Sequence, residues 1–366
     1  MLYFKINENL KKTAILCNYE LLPNRVGGMD YFFWQFDKKC KQNNIQIDWF
    51  FPNESSSGNY NELNIIDTNY QNVEAFFVKY CESNTQNYDF IFTHFVELCI
   101  PIFKKIKAFS KAKIIAVDHN PRPINGYSFK KKLEKKVKGF LYSKYIDSFI
   151  AVSEYSKKAL KKDFGSLINN KIEIIFNGLD VIKYIQKTNF ELQHKLIVAC
   201  HLRKEKGIQD LIQAVYLSNK EKNIEFVIDI YGTGNYENEL KQMIEIFSLI
   251  NFFNFKGSVS NLNEIYSKYD YLIHPSHGET FCYTVVESLL SNLPVITTNI
   301  HGNVLELVKE NSNGFLFDAT NIEQLKEILL NISINKICIQ DFSSNNQLVK
   351  NLSLENMVEK YFNLIV

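Results

Sequence analysis

Two carboxylates, Glu279 and Glu287, stand with seven residues between them, and the stretch that joins them suits an anionic ligand. Upstream, the short apolar run Tyr269 to Ile273 reads as a buried strand. Downstream, Thr284 to Leu290 reads as a helix, Asn292-Leu293-Pro294 as its stop and Val295 to Thr298 as the next strand. The spacing therefore predicts strand, loop, helix, strand. Amides of Phe281, Cys282, Tyr283, Thr284 and Val285 would lie at the helix N-terminus, where unpaired N–H groups and the helix dipole attract phosphate. A carboxylate repels phosphate, so Glu279 in the loop and Glu287 one turn inside the helix are expected to accept hydrogen bonds from sugar and ribose hydroxyls.

Other chemistry-bearing residues also follow predicted strands. His119 comes after the run Ile114 to Val117, at the carboxyl end where ligands of open α/β sheets sit. His94 also ends a strand and is held as an acceptor-side or supporting candidate. Gly27-Gly28 follows the first strand, and glycine there permits close approach of the backbone to a phosphate or sugar. Gly232 and Gly234 follow the strand Phe226 to Ile230 as G-x-G, but the third glycine of a dinucleotide fingerprint is missing. A backbone turn beside a nucleotide is the better reading than a nicotinamide site.

These stretches together resemble the glycosyltransferase family 4 enzymes. The family signature runs P-S-x-x-E, a small residue, F-G, then a helix ending in E-A; Pro275, Ser276, Glu279, Phe281 and Glu287 fall in register, and Pro294-Val295-Ile296 matches the P-V-I/V that follows. Cys282 stands where the family has glycine and is expected to narrow the room beside the donor sugar. Gly27, Gly28 and Asp30 resemble the family's G-G-x-E/D loop. His201-Leu202-Arg203-Lys204-Glu205-Lys206-Gly207 resembles G-R-L-x-x-x-K-G, whose Arg and Lys hold the donor diphosphate. Lys206 matches without a gap; strict spacing puts His201 in the place of the Arg, while a shifted register selects Arg203, which is the reading taken. Asn177-Gly178-Leu179-Asp180 resembles N-G-V/I-D at the domain junction, and Glu306 the acid of E-I/L-V. The resemblance implies that the family histidine after this strand, facing donor sugar and acceptor, corresponds to His119, which follows Ile114 to Val117.

Composition bounds the alternatives. The chain has 366 residues, 46% hydrophobic and 22% charged, as a globular protein of two ordinary domains has. No run is long and apolar enough for a transmembrane helix, and Met1 to Glu8 lack a signal-peptide core. Seven scattered cysteines make no C-x-x-C pair, so neither a disulfide framework nor a zinc site is indicated, and a cytoplasmic setting is expected. Residues 1–185 carry a net charge of +8 and residues 186–366 one of −6, so the halves are expected to meet different partners. Around the run Lys130 to Lys138, Leu133, Val137, Phe140 and Leu141 share one helical face with the lysines largely opposite. That is by default a solvated face, and alternatively one that rests on anionic lipid. No recognition motif accompanies the charge, which argues against nucleic acid.

Strands alternating with helices in both halves predict two doubly wound Rossmann-like domains. By the resemblance this is the GT-B fold, with an acceptor-side domain over 1–185, a nucleotide-sugar domain over 186–349 and a terminal helix in 350–366 crossing back to the first. A hinge is expected in Asp180 to Gln193. The resemblance implies a retaining, metal-independent transfer from a nucleotide sugar, UDP-sugar before GDP-mannose, to a glycan or lipid-linked acceptor in surface polysaccharide or glycolipid synthesis. No cofactor is expected, and the enzyme is expected to be cytoplasmic or peripheral on the inner face of the membrane. Catalytic roles are expected of His119, Glu279, Arg203 and Lys206. Donor contacts are expected of Gly27, Gly28, Gly232, Gly234, Thr280, Phe281, Cys282, Tyr283, Thr284, Val285 and Glu287. The rival readings are a sugar-nucleotide epimerase or hydrolase of the same fold, a nicotinamide dehydrogenase and a non-catalytic sugar-nucleotide-binding protein.

Overall fold

The computed structural model describes residues 10–22, 26–123, 126–304, 307–339 and 351–366. The chain divides into two compact units. One comprises residues 1–120, 127–178 and 354–366, the other 121–126 and 179–353.

The first unit is a seven-stranded sheet in the order β3-β2-β1-β4-β5-β6-β7, with every neighbouring pair parallel. The strands are β1 (Lys12–Cys17), β2 (Gln46–Phe51), β3 (Ile65–Asp67), β4 (Phe90–His94), β5 (Lys113–Asp118), β6 (Ser148–Ala151) and β7 (Ile172–Ile174). The helices are α1 (Gly28–Gln42), α2 (Val73–Asn84), α3 (Pro101–Phe109), α4 (Phe129–Tyr142) and α5 (Glu154–Phe164). Unbroken apolar runs such as Ala14 to Cys17 are fully buried, as strands covered on both faces must be. The weakly patterned stretch after Asn53 contains β3 and α2, which composition did not announce.

α1 shows how the local code is read. Met29, Phe32, Phe33, Phe36 and Cys40 recur at three- and four-residue spacing and are all buried. Asp30 lies in the first turn and accepts from the Gly27 amide at 2.7 Å and from the Tyr19 hydroxyl at 2.9 Å. It thus satisfies one of the orphan donors of the helix start. The final helix, α12 (Leu354–Phe362), packs against α1. The buried Tyr361 ring lies 4.7 Å from Phe32 and 5.9 Å from Phe92, and Lys39 pairs with Glu359 at 2.8 Å. The last residues of the chain therefore complete the core of the first domain.

α4 departs from expectation. Gly139 sits on α5 so closely that a Cβ would lie 2.2 Å from the Phe164 carbonyl oxygen. That contact turns the apolar stripe away from the protein: Phe129 is 83% exposed, Leu133 56% and Phe140 71%. The lysines on the inner side are instead paired, Lys135 with Asp163 at 3.3 Å and Lys138 with Glu97 at 2.7 Å. The helix is amphipathic as read, but its apolar side faces solvent.

The second unit is a six-stranded parallel sheet in the order β10-β9-β8-β11-β12-β13. Its strands are β8 (Lys195–Ala199), β9 (Val227–Tyr231), β10 (Phe253–Gly257), β11 (Tyr271–His274), β12 (Val295–Thr298) and β13 (Gly314–Phe317). Its helices are α6 (Ile208–Glu221), α7 (Glu237–Ile246), α8 (Leu262–Ile265), α9 (Tyr283–Leu290), α10 (His301–Val304) and α11 (Ile322–Ser333). Two apolar clusters cover the two faces, one holding Ile208, Leu211, Ile230 and Leu329, the other Leu272, Val285, Leu289 and Val295. The segment read as a hinge is bonded along this unit: the Lys187 ammonium donates to Tyr269 O at 2.6 Å and the Ile185 amide to Asn263 O at 3.0 Å. Each sheet reverses its winding direction at its centre, between β1 and β4 and between β8 and β11. Open α/β sheets leave a crevice for ligands at such points, beyond the carboxyl ends of the strands.

Candidate functional site

In the second unit the reversal point is furnished by three loops, which follow β8, β9 and β11. They interlock through glycines. A Cβ on Gly232 would lie 1.9 Å from Cys200 O, one on Gly234 2.1 Å from Leu202 O, and one on Gly207 2.1 Å from Pro275 O. Gly207 (φ +72°) and Gly232 (φ +122°) also occupy left-handed backbone. These glycines thus serve contact between loops, a role that the G-x-G and K-G spacing did not distinguish from contact with a ligand. The β11 loop is pinned further. The His277 amide donates to Glu205 O at 2.9 Å, its Nε2 lies 2.6 Å from Asp210 Oδ2, and the Thr298 hydroxyl donates to Ser276 O at 2.8 Å.

The clamped loops bring Lys206 and Glu279 together. The Lys206 ammonium donates to Glu279 Oε1, which also accepts from the Ser276 hydroxyl at 3.1 Å. Both side chains are largely buried, at 13% and 19% exposure. Burial works to raise the Glu279 pKa. The His274 imidazole, 3.7 Å away, and the Lys206 ammonium outweigh it and hold the acid at about 2. Burial likewise works to lower Lys206, and the Glu279 carboxylate more than offsets it, so the lysine is raised. Acid and base are both firmly charged.

His274, which the sequence reading passed over, completes this cluster. Its Nε2 lies 3.2 Å from Cys282 Sγ and its Nδ1 3.1 Å from Thr297 Oγ1. His274, Glu279 and Cys282 offer three metal-ligating atoms within 4.8 Å of one another. The Lys206 ammonium, however, already rests on the carboxylate oxygen that an ion would take. Burial also pushes the Cys282 thiol well above its ordinary value, so it stays protonated. The Cys282 side chain packs in the apolar cluster with Val285 and Leu289, so the residue standing at the family's glycine offers the site its backbone.

α9 opens without a side-chain cap from Cys282. Thr280, Phe281, Cys282 and Val285 are buried, so Phe281 and Cys282 face a ligand with backbone rather than side chain. Tyr283 and Thr284 are half-buried, and the Thr284 hydroxyl donates to Ala199 O at 3.1 Å, tying the helix start to the end of β8. Glu287 accepts from the Tyr266 hydroxyl at 2.7 Å. Burial raises its pKa, against hydrogen bonds from Tyr266 and Tyr184. Neither tyrosine is within reach in sequence, so no local signal could have named them. Arg203 and His201 both stand exposed after β8, Arg203 with its Nε 3.3 Å from Glu205 Oε1. Glu306 lies outside the described residues.

In the first unit the reversal point carries His94, at the end of β4, and His119, just past β5. His94 Nδ1 and His119 Nε2 are 3.0 Å apart. Phe95, in left-handed backbone at φ +58°, stacks on His119 with centroids 4.3 Å apart. Burial pushes His119 down to about 3 and, with His119 adding to the effect, His94 well below its ordinary value. Both rings are neutral. The two histidines read separately from the sequence are thus one dyad. Gly27 and Gly28 lead into α1, where the Gly27 amide is already bonded to Asp30.

Comparison with known proteins gives concordant matches. The model for Glycosyltransferase Family 4 matches residues 26–183, and that for Glycosyl transferases group 1 matches residues 180–351. A poly(ribitol-phosphate) alpha-N-acetylglucosaminyltransferase of Staphylococcus aureus (strain COL) is 24% identical over 111 residues, which are 30% of this chain and 22% of that enzyme. Among solved structures, HepE of Anabaena in complex with UDP and glucose superposes with a TM-score of 0.72 at 17% identity, over 97% of this chain and 99% of that one. The pneumococcal O-GlcNAc transferase GtfA, in complex with UDP and GlcNAc, gives a TM-score of 0.62 at 21% identity, over 80% of this chain and 59% of that one.

Proposed function

Since the chain is a glycosyltransferase of the GT-B fold, matched in both halves by glycosyltransferase family models, we propose that it transfers a sugar from UDP, with retention, to a hydroxyl of a glycan or lipid-linked acceptor. The observation that carries this reading is the charged Lys206–Glu279 pair held at the β8/β11 reversal point beside the uncapped start of α9. UDP is preferred to GDP because two solved proteins of the same fold carry it.

In this reading the bond from the anomeric carbon to the diphosphate oxygen breaks, and the diphosphate leaves with both electrons. Lys206, Arg203 and the amides at the start of α9 meet that charge without a metal, since preorganised donors are worth most where charge develops. Glu287 accepts from the ribose hydroxyls. Glu279 and the backbone that follows it orient the sugar. The acceptor oxygen bonds to the anomeric carbon on the face the diphosphate leaves, and its proton passes to a diphosphate oxygen, so no protein nucleophile is required. His119 is assigned to hydrogen-bond a sugar hydroxyl as a neutral imidazole. The Gly232–Gly234 turn supplies backbone contacts to donor groups.

The acceptor is proposed to lie at a membrane. Phe129, Leu133, Val137, Phe140 and Leu141 form an exposed apolar stripe on α4, flanked by exposed Lys130, Lys132 and Lys136. Such a helix lies in the interface of an anionic bilayer, apolar side down. A role in surface polysaccharide or glycolipid synthesis on the cytoplasmic face fits this surface.

Calorimetric titration with UDP, GDP, ADP and NAD, beside a Glu287→Ala control, tests the reading. The expected result is binding of UDP, lost in the variant, followed by transfer from a UDP-sugar with retained anomeric configuration. Binding of NAD alone, or of none of the four, refutes it.

A further inference from the structure

The histidine dyad fixes more than the position of a ring. His94 is fully buried at the end of β4, and its Nε2 has no hydrogen-bond partner among the described residues. The rings around it are Phe32, Phe33 and Tyr361, at centroid distances of 5.8, 6.1 and 5.9 Å. The Tyr361 hydroxyl is itself without a partner among the described residues, so it does not serve His94. The single polar contact of the His94 ring among the described residues is therefore at its Nδ1, 3.0 Å from His119 Nε2.

One of these two nitrogens carries the proton, and the choices differ in what they bury. If His119 Nε2–H donates, His94 must carry its own proton on Nε2, an N–H buried among aromatic rings with no nitrogen or oxygen acceptor among the described residues. If His94 Nδ1–H donates, Nε2 of His94 is a bare lone pair. Orphaned buried N–H groups are rarer in folded proteins than under-satisfied acceptors. The second arrangement is favoured, and it dictates the tautomer of the partner: His119 accepts at Nε2 and so carries its proton on Nδ1.

We propose that His94 is a positioning residue that locks His119 as the Nδ1–H tautomer, so that His119 offers a substrate oxygen a neutral N–H donor and cannot act as a base at that atom. Phe95, stacked on His119, fixes the ring plane in which His119 Nε2 meets His94 Nδ1. The consequence for catalysis rests on the reading of His119 as a sugar contact; the tautomer does not. The required act is hydrogen bonding only, since neither ring gives up or gains a proton during transfer.

Long-range ¹⁵N–¹H correlation spectra of histidine-labelled protein test this, with His119→Gln identifying the signals. The expected wild-type pattern is a protonated-type Nδ1 and a bare Nε2 at His119. His94→Asn keeps an N–H donor near the Nδ1 position and should preserve the pattern. His94→Phe removes the donor and should shift His119 to the Nε2–H form or a mixture. In kinetics His94→Phe should lose about 100-fold in kcat, as removal of one oriented donor does, with affinity for UDP unchanged and activity largely rescued in His94→Asn. A wild-type Nε2–H tautomer at His119, or a pattern unmoved by His94→Phe, overturns the proposal; because His94→Asn is isosteric at the donor, loss of the pattern in that variant also counts against it. The predicted tautomers with no glycosyl transfer in any variant would uphold the lock and refute the function proposed for the site.

Discussion

Removing the Lys206 ammonium should expose how much the second unit depends on a buried ion pair. Glu279 ionises near 2 rather than at its ordinary 4.5. At about 1.4 kcal/mol per pH unit that difference corresponds to about 3 kcal/mol favouring the charged acid in the folded protein. Lys206→Met leaves the carboxylate buried without its cation, a loss of about 3–5 kcal/mol for a broken buried pair. For a domain of this size the melting transition should fall by about 6–20 °C. The sign with pH follows from the depressed acid. Its contribution is fully present above pH 4.5 and disappears as pH falls through about 2, so the gap between wild type and variant should be flat near neutrality and close on acidification. The assay is thermal unfolding by circular dichroism of Lys206→Met, Glu279→Gln and the double variant, at pH 7 and below pH 4. The double variant should recover much of the loss, with a coupling of about 2–3 kcal/mol. Strictly additive single effects, or a gap that does not change with pH, would refute the reasoning. The same lysine is assigned to the diphosphate, so Lys206→Met should also weaken UDP binding about 10–100-fold, whereas Glu279→Ala should abolish transfer and spare nucleotide affinity.

Glu287 has a raised pKa, so its burden on stability grows as pH rises through that value. Glu287→Gln should melt higher than wild type at pH 8, less so at pH 4.5, while losing affinity for UDP in calorimetry. Gly207→Ala must place a methyl 2.1 Å from Pro275 O at a φ of +72°; chemical denaturation should show a loss of about 2–4 kcal/mol. Tyr361→Ala should cost about 3–5 kcal/mol by opening a cavity under α1, whereas Tyr361→Phe, which removes only a hydroxyl without a partner among the described residues, should be neutral or stabilising. Phe129→Ser with Phe140→Ser should abolish sedimentation with phosphatidylglycerol vesicles and leave UDP binding intact; unchanged sedimentation would refute the membrane role of α4.

The parallel architecture was legible because buried parallel strands have no polar face to hide. Lys113–Asp118, Val295–Thr298 and Gly314–Phe317 stand in the structure as their apolar runs predicted. So was the anchor of the site, because P-S-x-x-E fixes Glu279 on a loop before a helix, and chain geometry does the rest. The sequence alone could not pair residues from different strands. Lys206 and Glu279 lie 73 positions apart, and His94 and His119 lie 25 apart. These pairings depend on which strands become neighbours, a matter of sheet order that no local periodicity encodes. The orientation of α4 was equally out of reach: its pattern defines an apolar side but not which side the protein takes. Gly139 against the Phe164 backbone decided that, because helix packing is settled by the closest approach two backbones allow. The sequence by itself determined which residues were available to the chemistry; the tertiary structure decided their partners, charge states and exposure, because burial and proximity are properties of the packed chain.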